Sequence, residues 1–116
     1  MHVLKFGGTS VGSIASIKNV KQIVEERKES VIVVVSALGG ITDRLIATAN
    51  KAAAGDESYE EEFQFIRQRH LDVVNGLLDG EALTAVKVFL TSTLEELTNI
   101  YRGIFVSCRQ SLSAPL

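Results

Sequence analysis

The residues with the clearest chemical potential follow the first apolar run of the chain, where one lysine precedes two adjacent glycines. Lys5 interrupts that run, and Gly7 and Gly8 come directly after it. Glycine has no Cβ, so the backbone can turn sharply and a ligand can approach its N–H groups closely. Thr9 and Ser10 add hydroxyls near the predicted start of a helix, where free amides and the helix dipole favour anions. Together these residues predict a phosphate-binding turn, although their spacing is not that of a Walker A loop.

Each of these residues also has a purely structural explanation. A lysine at a strand end can pack its stem and keep its ammonium in water. Most Gly-Gly pairs only form turns, and helix capping alone accounts for Thr9 or Ser10. The residue types by themselves leave both interpretations open.

A second glycine turn follows the β-branched run 31–35. Such a run predicts a strand buried on both faces of a parallel sheet. Gly39 and Gly40 come next, with Ser36 before them and Thr42 after them. Thr42 is predicted either to cap a helix or to hold a carboxylate with its hydroxyl. The carboxyl ends of neighbouring parallel strands meet at one edge of a sheet, so both turns are expected there.

The apolar periodicity predicts an α/β chain with a β-α-β start, followed by three helices and mostly helical overall. Residues 2–6 read as the first strand, and a helix face begins after Ser13. Ser58 and Glu61 form an S-x-x-E capping box that predicts the start of a helix. We expect a βαβα half-site over 1–57, a helical hairpin over 58–106 and a frayed tail over 107–116. The sheet has only two strands, so apolar surface should stay exposed.

Composition excludes several classes of protein. The net charge of -2 over 116 residues argues against a nucleic-acid partner, and no apolar run approaches the ~20 residues of a membrane span. The single cysteine, Cys108, and the lack of a signal-peptide pattern favour the cytoplasm. No metal-ligand cluster is predicted. Glu60 to Glu62 fit a solvated first helical turn, and His70 fits a packed helix face.

The two glycine blocks carry a resemblance to a known family. Residues 5–10, K-F-G-G-T-S, resemble the amino-terminal signature of the aspartokinases, within the amino-acid kinase superfamily. Residues 36–43, S-A-L-G-G-I-T-D, are similar to the second glycine turn of that family. The layout of the rest is similar to the start of the bifunctional aspartokinase–homoserine dehydrogenases. The resemblance implies an incomplete amino-acid-kinase fold: an amino-terminal fragment without the nucleotide-binding half, inactive by itself.

The resemblance also implies a reaction and residue roles. Aspartokinases transfer the γ-phosphoryl group of Mg-ATP to the side-chain carboxylate of L-aspartate, in the biosynthesis of lysine, threonine and methionine. Lys5 is then the catalytic residue that contacts the ATP phosphates and the attacked carboxylate. Gly7, Gly8 and Ser10 are expected at the phosphates, and Thr42 and Ser36 at the aspartate. Mg²⁺ is expected to arrive with ATP, and the protein to form a homo-oligomer.

Two other functions stay open at this stage. The first is a non-catalytic helical association module, because the predicted fragment leaves apolar surface uncovered. The second is another amino-acid kinase, acting on glutamate or acetylglutamate. The phenylalanine at position 6 and the pair Thr9 and Ser10 argue against this second alternative.

Overall fold

A computed structural model of the chain describes residues 1–113, with side chains for residues 1–108. It confirms the predicted α/β fold class: a β-α-β start is followed by three further helices. The elements are β1 (His2–Phe6), α1 (Ile14–Glu25), β2 (Val31–Val35), α2 (Ile41–Ala53), α3 (Tyr59–Leu77) and α4 (Gly80–Ser113). They form two compact units, Met1–Thr42 and Asp43–Leu116.

The first unit is built on one parallel strand pair. β1 and β2 pair in a register that runs from His2 opposite Val31 to Phe6 opposite Val35. The Ser36 amide extends the ladder by donating to the Phe6 carbonyl oxygen at 3.0 Å. Both strands therefore end at the same edge, and the glycine turn that follows each of them starts there, as predicted.

The apolar residues of this sheet are largely exposed. The affected side chains lie on both strands and are between 40% and 64% exposed: Val3, Ile32, Val33, Val34 and Val35. The prediction that β2 is buried on both faces is therefore wrong for this chain, and the predicted exposure of apolar surface is confirmed. The reason is that the sheet has two strands within the described residues, so the side chains of β2 have few neighbours beyond the pair.

Helix α1 begins directly after Ser13, as its apolar periodicity predicts, and neither Thr9 nor Ser10 caps it. Ser13 is the N-cap: its backbone is extended and its Oγ accepts a hydrogen bond from the Ser16 amide at 3.1 Å. Thr9 and Ser10 instead lie in the turn between β1 and α1. Thr42 is not a cap either, because it is the second residue of α2.

The second unit holds the main apolar core. Its centre is a cluster of fully or nearly buried side chains from α2, α3 and α4: Ala52, Tyr59, Phe63, Leu94 and Tyr101. The rings of Phe63 and Tyr101 meet edge to face with centroids 6.1 Å apart. The Tyr101 hydroxyl donates to the Leu45 carbonyl oxygen at 3.0 Å, so this core residue also satisfies its polar atom.

The turn between α2 and α3 has local chemistry that differs from the predicted capping box. Gly55 ends α2 at φ 71°, and the amides of Gly55 and Asp56 donate to Ala52 and Lys51 in the pattern of a Schellman motif. Ser58 precedes α3 but makes no side-chain capping bond, because its own backbone is already helical. The Asp56 carboxylate accepts from the Ser58 amide at 2.9 Å instead.

The last helix is longer than its apolar periodicity indicated. α4 continues to Ser113, so the predicted tail from residue 107 begins as helix, and residues 114–116 lie outside the described part of the chain. No glycine or proline occurs between Ser107 and Ser113, and the backbone therefore has no local reason to leave the helix there. Among the described residues, no helix is both long enough and apolar enough to span a membrane.

Helix α2 belongs mainly with α3 and α4. The sequence placed a boundary at residue 57, whereas the compact units divide after Thr42. Ion pairs explain this grouping: Glu62 of α3 accepts from Arg44 at 2.9 Å and from Lys51 at 3.2 Å, and both cations lie on α2. Arg44 also lies over the ring of Phe65, 3.9 Å from its centroid.

These ion pairs predict a pH-dependent stability. Hydrogen bonds from Arg44 and Lys51 hold the pKa of Glu62 below its usual 4.5. The stabilisation is present above pH 4.5 and is lost as the pH falls through the lowered pKa. Glu62→Gln should therefore lower the midpoint of urea unfolding at pH 7, and the deficit should close in acid. Glu61→Gln is the matched control, and an equal loss at pH 7 and pH 3 would contradict the ion-pair account.

A glycine inside α4 predicts a stabilising substitution. Gly103 lies in the helix interior, and a Cβ built on it meets no atom within 4 Å. Gly103→Ala should therefore raise the free energy of unfolding by about 0.5–1 kcal/mol, since alanine loses less backbone entropy. Gly80→Ala should instead lower the free energy of unfolding by about 1–2 kcal/mol, because Gly80 has φ 57°, a left-handed conformation in which a side chain is strained. Chemical unfolding of both variants checks the pair, and a destabilised Gly103→Ala would contradict the prediction.

Candidate functional site

The two glycine turns of the first unit enclose an open cleft. Its volume is about 630 Å³, and it is lined by residues from both turns and from the start of α1: Gly8, Thr9, Gly12, Ser13, Gly39 and Gly40. None of these six residues carries a charged side chain. The lining therefore consists mainly of backbone atoms and hydroxyl groups, and the glycines leave the backbone accessible.

Four residues of the cleft lining have backbone N–H groups without an acceptor in the described chain. Within residues 1–113, the amides of Gly8, Thr9, Gly39 and Gly40 donate no hydrogen bond to another residue. Neighbouring amides are already used: that of Val11, for example, donates to the Gly7 carbonyl oxygen at 3.2 Å. Unused N–H groups from two adjoining turns form an environment that suits the oxygens of an anion.

Two helix N-termini adjoin the same cleft. Ser13 lines the cleft and is the N-cap of α1, and Gly40 lines it and directly precedes Ile41, the first residue of α2. The first turn of α1 contains no acidic residue, whereas the first turn of α2 contains Asp43, so α1 has the less compensated partial positive charge. The helix dipole and the bare amides therefore both favour negative charge at this place.

The turns approach each other closely because glycines form the contact. A Cβ on Gly39 would lie 3.1 Å from the Gly8 carbonyl oxygen and 3.2 Å from the Gly12 Cα. Gly7 differs, since a Cβ built on it meets nothing within 4 Å. The close packing of the two turns thus requires a glycine at position 39, whereas nothing in the described structure requires a glycine at position 7.

Lys5 lies next to the turn but not in the lining of the cleft. It is the fourth residue of β1, pairs in register with Val34, and has an exposed side chain. The two-stranded sheet therefore leaves the Lys5 ammonium in contact with water, so this charge carries no cost of burial. No ion pair joins Lys5 to another residue of the described chain.

The other predicted site residues occupy separate positions around the turns. Ser10 lines a smaller cleft of about 270 Å³ along α1, together with Phe6 and Asn19 among others. Ser36 is exposed directly after β2, and Thr42 is exposed in the first turn of α2. Of the residues predicted for the site, Gly8 and Thr9 thus line the glycine cleft itself, while the others lie elsewhere within the same unit, Met1–Thr42.

Sequence reasoning missed Gly12, Ser13, Gly39 and Gly40 as lining residues. Gly39 and Gly40 were visible as the second glycine turn, and the pattern Gly-Ser before a helical face marks an N-cap. Their convergence depends on strand register, which places both turns side by side. Register was not derivable from the spacing of the glycines.

The remaining reactive side chains form no second centre near the cleft. Among the described residues, no group of three or more His, Cys, Asp or Glu side chains is arranged to hold a metal ion. The His70 Nδ1 atom lies 2.7 Å from the Ile66 carbonyl oxygen one turn earlier on α3. Glu62, from the acidic run 60–62, is bound to Arg44 and Lys51. These interactions are structural.

Comparison with known proteins gives the family. A model of the amino acid kinase family matches residues 1–105. The bifunctional aspartokinase/homoserine dehydrogenase 2 of Arabidopsis thaliana, a chloroplastic protein, is 33% identical over 112 residues, which is 96% of this chain and 12% of the relative. The corresponding Daucus carota protein is 36% identical over 104 residues, 89% of this chain and 11% of the relative. An aspartokinase of Pseudomonas aeruginosa is 50% identical over 52 residues, 42% of this chain and 13% of the relative.

The chain belongs to the amino acid kinase family, and its similarity to aspartokinases confirms the resemblance of the two glycine blocks. It spans only 11–13% of the length of these three relatives.

Proposed function

We propose that this chain forms the amino-terminal half-site of an aspartokinase, in which the glycine cleft holds ATP phosphates during transfer to L-aspartate. The observation that carries the proposal is the set of unused N–H groups of Gly8, Thr9, Gly39 and Gly40 around one cleft beside two helix N-termini. Phosphoryl transfer requires positioning and charge stabilisation more than covalent participation of the protein. The cleft offers both in the form of fixed dipoles.

Lys5 supplies the mobile positive charge in this proposal. Its exposed ammonium lies at the end of a flexible stem, two residues before Gly7. The Lys5 ammonium neutralises the negative charge that develops on the transferred phosphoryl group, as a lysine does in other phosphoryl-transfer sites. Gly7 allows close approach of the phosphates, and Ser10 adds a hydroxyl at the same turn. Mg²⁺ enters with ATP and neutralises phosphate charge when bound.

The substrate assignment extends the proposal to the second turn. We assign Thr42, exposed in the first turn of α2, and Ser36, exposed after β2, to the carboxylate of aspartate. Support comes from the similar curated proteins, which are named as aspartokinases. Glutamate and acetylglutamate are the alternative substrates, and an assay that compares all three substrates distinguishes them. A cytoplasmic location stays a prediction.

Self-association is a second candidate function for the chain as it stands. Val3 on β1 is 64% exposed and Phe89 on α4 is 73% exposed, so apolar surface is present on both compact units. Soluble monomers rarely leave large contiguous apolar patches uncovered. Sedimentation velocity at increasing concentration tests this candidate, and a constant monomer mass contradicts it.

A chimera tests the kinase proposal. Residues 1–105, the part matched by the family model, would replace the corresponding segment of the Arabidopsis thaliana relative. We expect ADP formation that depends on aspartate and not on glutamate or acetylglutamate. A chimera that folds but phosphorylates none of the three, or prefers one of the other two, would contradict the proposal.

Gly7→Ala separates ligand binding from folding. The new methyl group has open space in the free chain, so the free energy of unfolding should change by no more than about 0.5 kcal/mol. The same methyl group would stand where the phosphates approach the turn, and we expect about ten-fold weaker Mg-ATP binding in an NMR titration. Ser30→Ala, in an exposed loop, is the control. Unchanged Mg-ATP binding by Gly7→Ala would contradict the placement of Gly7 at the phosphates.

A further inference from the structure

A second cleft lies between α3 and α4 in the unit that begins at Asp43. Its volume is about 630 Å³, within the usual range of small-molecule sites. Three buried aromatic residues, Tyr59, Phe63 and Tyr101, are each no more than 6% exposed and line its wall. Tyr59 stacks at 5.0 Å from Phe105, and Phe63 contacts Tyr101, so neighbouring rings fix the apolar wall.

The Tyr59 hydroxyl is an unused hydrogen-bonding group at this wall. The Tyr101 hydroxyl donates to the Leu45 carbonyl oxygen, but the Tyr59 hydroxyl makes no hydrogen bond with any residue in the described chain. Every fully buried side-chain nitrogen or oxygen in that part of the chain has a partner, so the Tyr59 oxygen must retain contact with solvent. Because Tyr59 is 6% exposed and lines the cleft, that contact is made through the cleft.

Charged side chains surround the opening without pairing. Arg67 of α3 and Arg102 of α4 line the cleft, as do Glu60 and Glu61. None of the four makes an ion pair with another described residue. The two carboxylates lie in the first turn of α3, where the helix dipole partly offsets their charge. The formal charges of the four side chains balance, and the two guanidinium groups supply hydrogen-bond donors that no ion pair with a described residue uses.

We propose that this cleft binds a small organic carboxylate with a planar apolar body. The body lies against the aromatic wall, and the carboxylate accepts hydrogen bonds from Arg67, Arg102 and the Tyr59 hydroxyl. Arginine suits this role because its guanidinium group matches a carboxylate with two parallel hydrogen bonds. The site is separate from the glycine cleft and does not depend on the proposed kinase activity.

Indole-3-propionate is a direct probe of the α3–α4 cleft. The chain contains no tryptophan, so fluorescence anisotropy of the indole reports binding to the 116-residue chain without background. Its neutral amide, indole-3-propionamide, and the cation tryptamine have the same ring and a different head group. We expect saturable binding of the carboxylate, about ten-fold tighter than that of either comparison compound.

Matched variants locate the bound probe. Arg67→Gln and Arg102→Gln should each weaken the carboxylate about five-fold or more and leave the amide unchanged, while Arg27→Gln, an exposed arginine after α1, should have no effect. Tyr59→Phe should weaken the carboxylate while its circular dichroism stays native. Equal affinity for carboxylate and amide, tighter binding of tryptamine, insensitivity to both arginine variants, or no saturable binding at millimolar probe would each overturn the proposal.

Discussion

Lys5→Met should lower the turnover of the kinase chimera by on the order of 10²–10³. The side chain keeps a similar length, but the ammonium that we propose faces the transferred phosphoryl group is lost. Lys5 is exposed and makes no ion pair with another described residue, so its removal should leave the fold intact. Steady-state assays of ADP formation measure the effect.

The control for this substitution is Lys18→Met. Lys18 lies on α1 and is exposed like Lys5, but it does not line the glycine cleft. Its replacement should leave turnover unchanged. If both variants lost activity equally, or if Lys5→Met kept full activity, the catalytic assignment of Lys5 would have to be abandoned.

Phe63→Ala should be the most destabilising single substitution considered, by about 3–5 kcal/mol. Phe63 is 5% exposed, and its ring contacts Tyr101 edge to face in the core cluster. The substitution removes apolar area and leaves a cavity between α3 and α4. A domain of this size has a total stability of about 5–15 kcal/mol, so a large part of it would be lost.

Phe89→Ala is the matched control for Phe63→Ala. It removes the same atoms from α4, but Phe89 is 73% exposed. Its free energy of unfolding should change by no more than about 0.5 kcal/mol. Urea unfolding followed by circular dichroism compares the two variants. A large loss in Phe89→Ala would show that its ring is covered in solution, for example by a second copy of the chain.

The order and type of the elements were predictable because each has a strong local signal. The β-branched run at 31–35 and the three- and four-residue spacing from Leu83 to Ile104 leave little ambiguity. Element ends were less predictable. Ser58 fits a capping box in sequence but adopts helical dihedral angles, so Asp56 provides the hydrogen bond instead. Burial of β2 was also mispredicted, since a β-branched run does not show how many strands will pair.

The candidate site was predictable to the level of its turns. Lys5, Gly7 and Gly8 marked the first turn, and Gly39 and Gly40 the second. The cleft itself arises from contacts through space that spacing does not encode. Strand register brings the second turn against Gly8, and the start of α1 adds the N-cap.

The central claim is tested most directly by an amide-resolved NMR titration of the 116-residue chain with Mg-ATP and with L-aspartate. The account predicts selective, saturable shifts at Lys5, Gly7 and Gly8 with Mg-ATP and at Thr42 with aspartate. Absence of shifts at millimolar ligand, or shifts confined to α3 and α4, would contradict a phosphate-binding half-site in the glycine cleft.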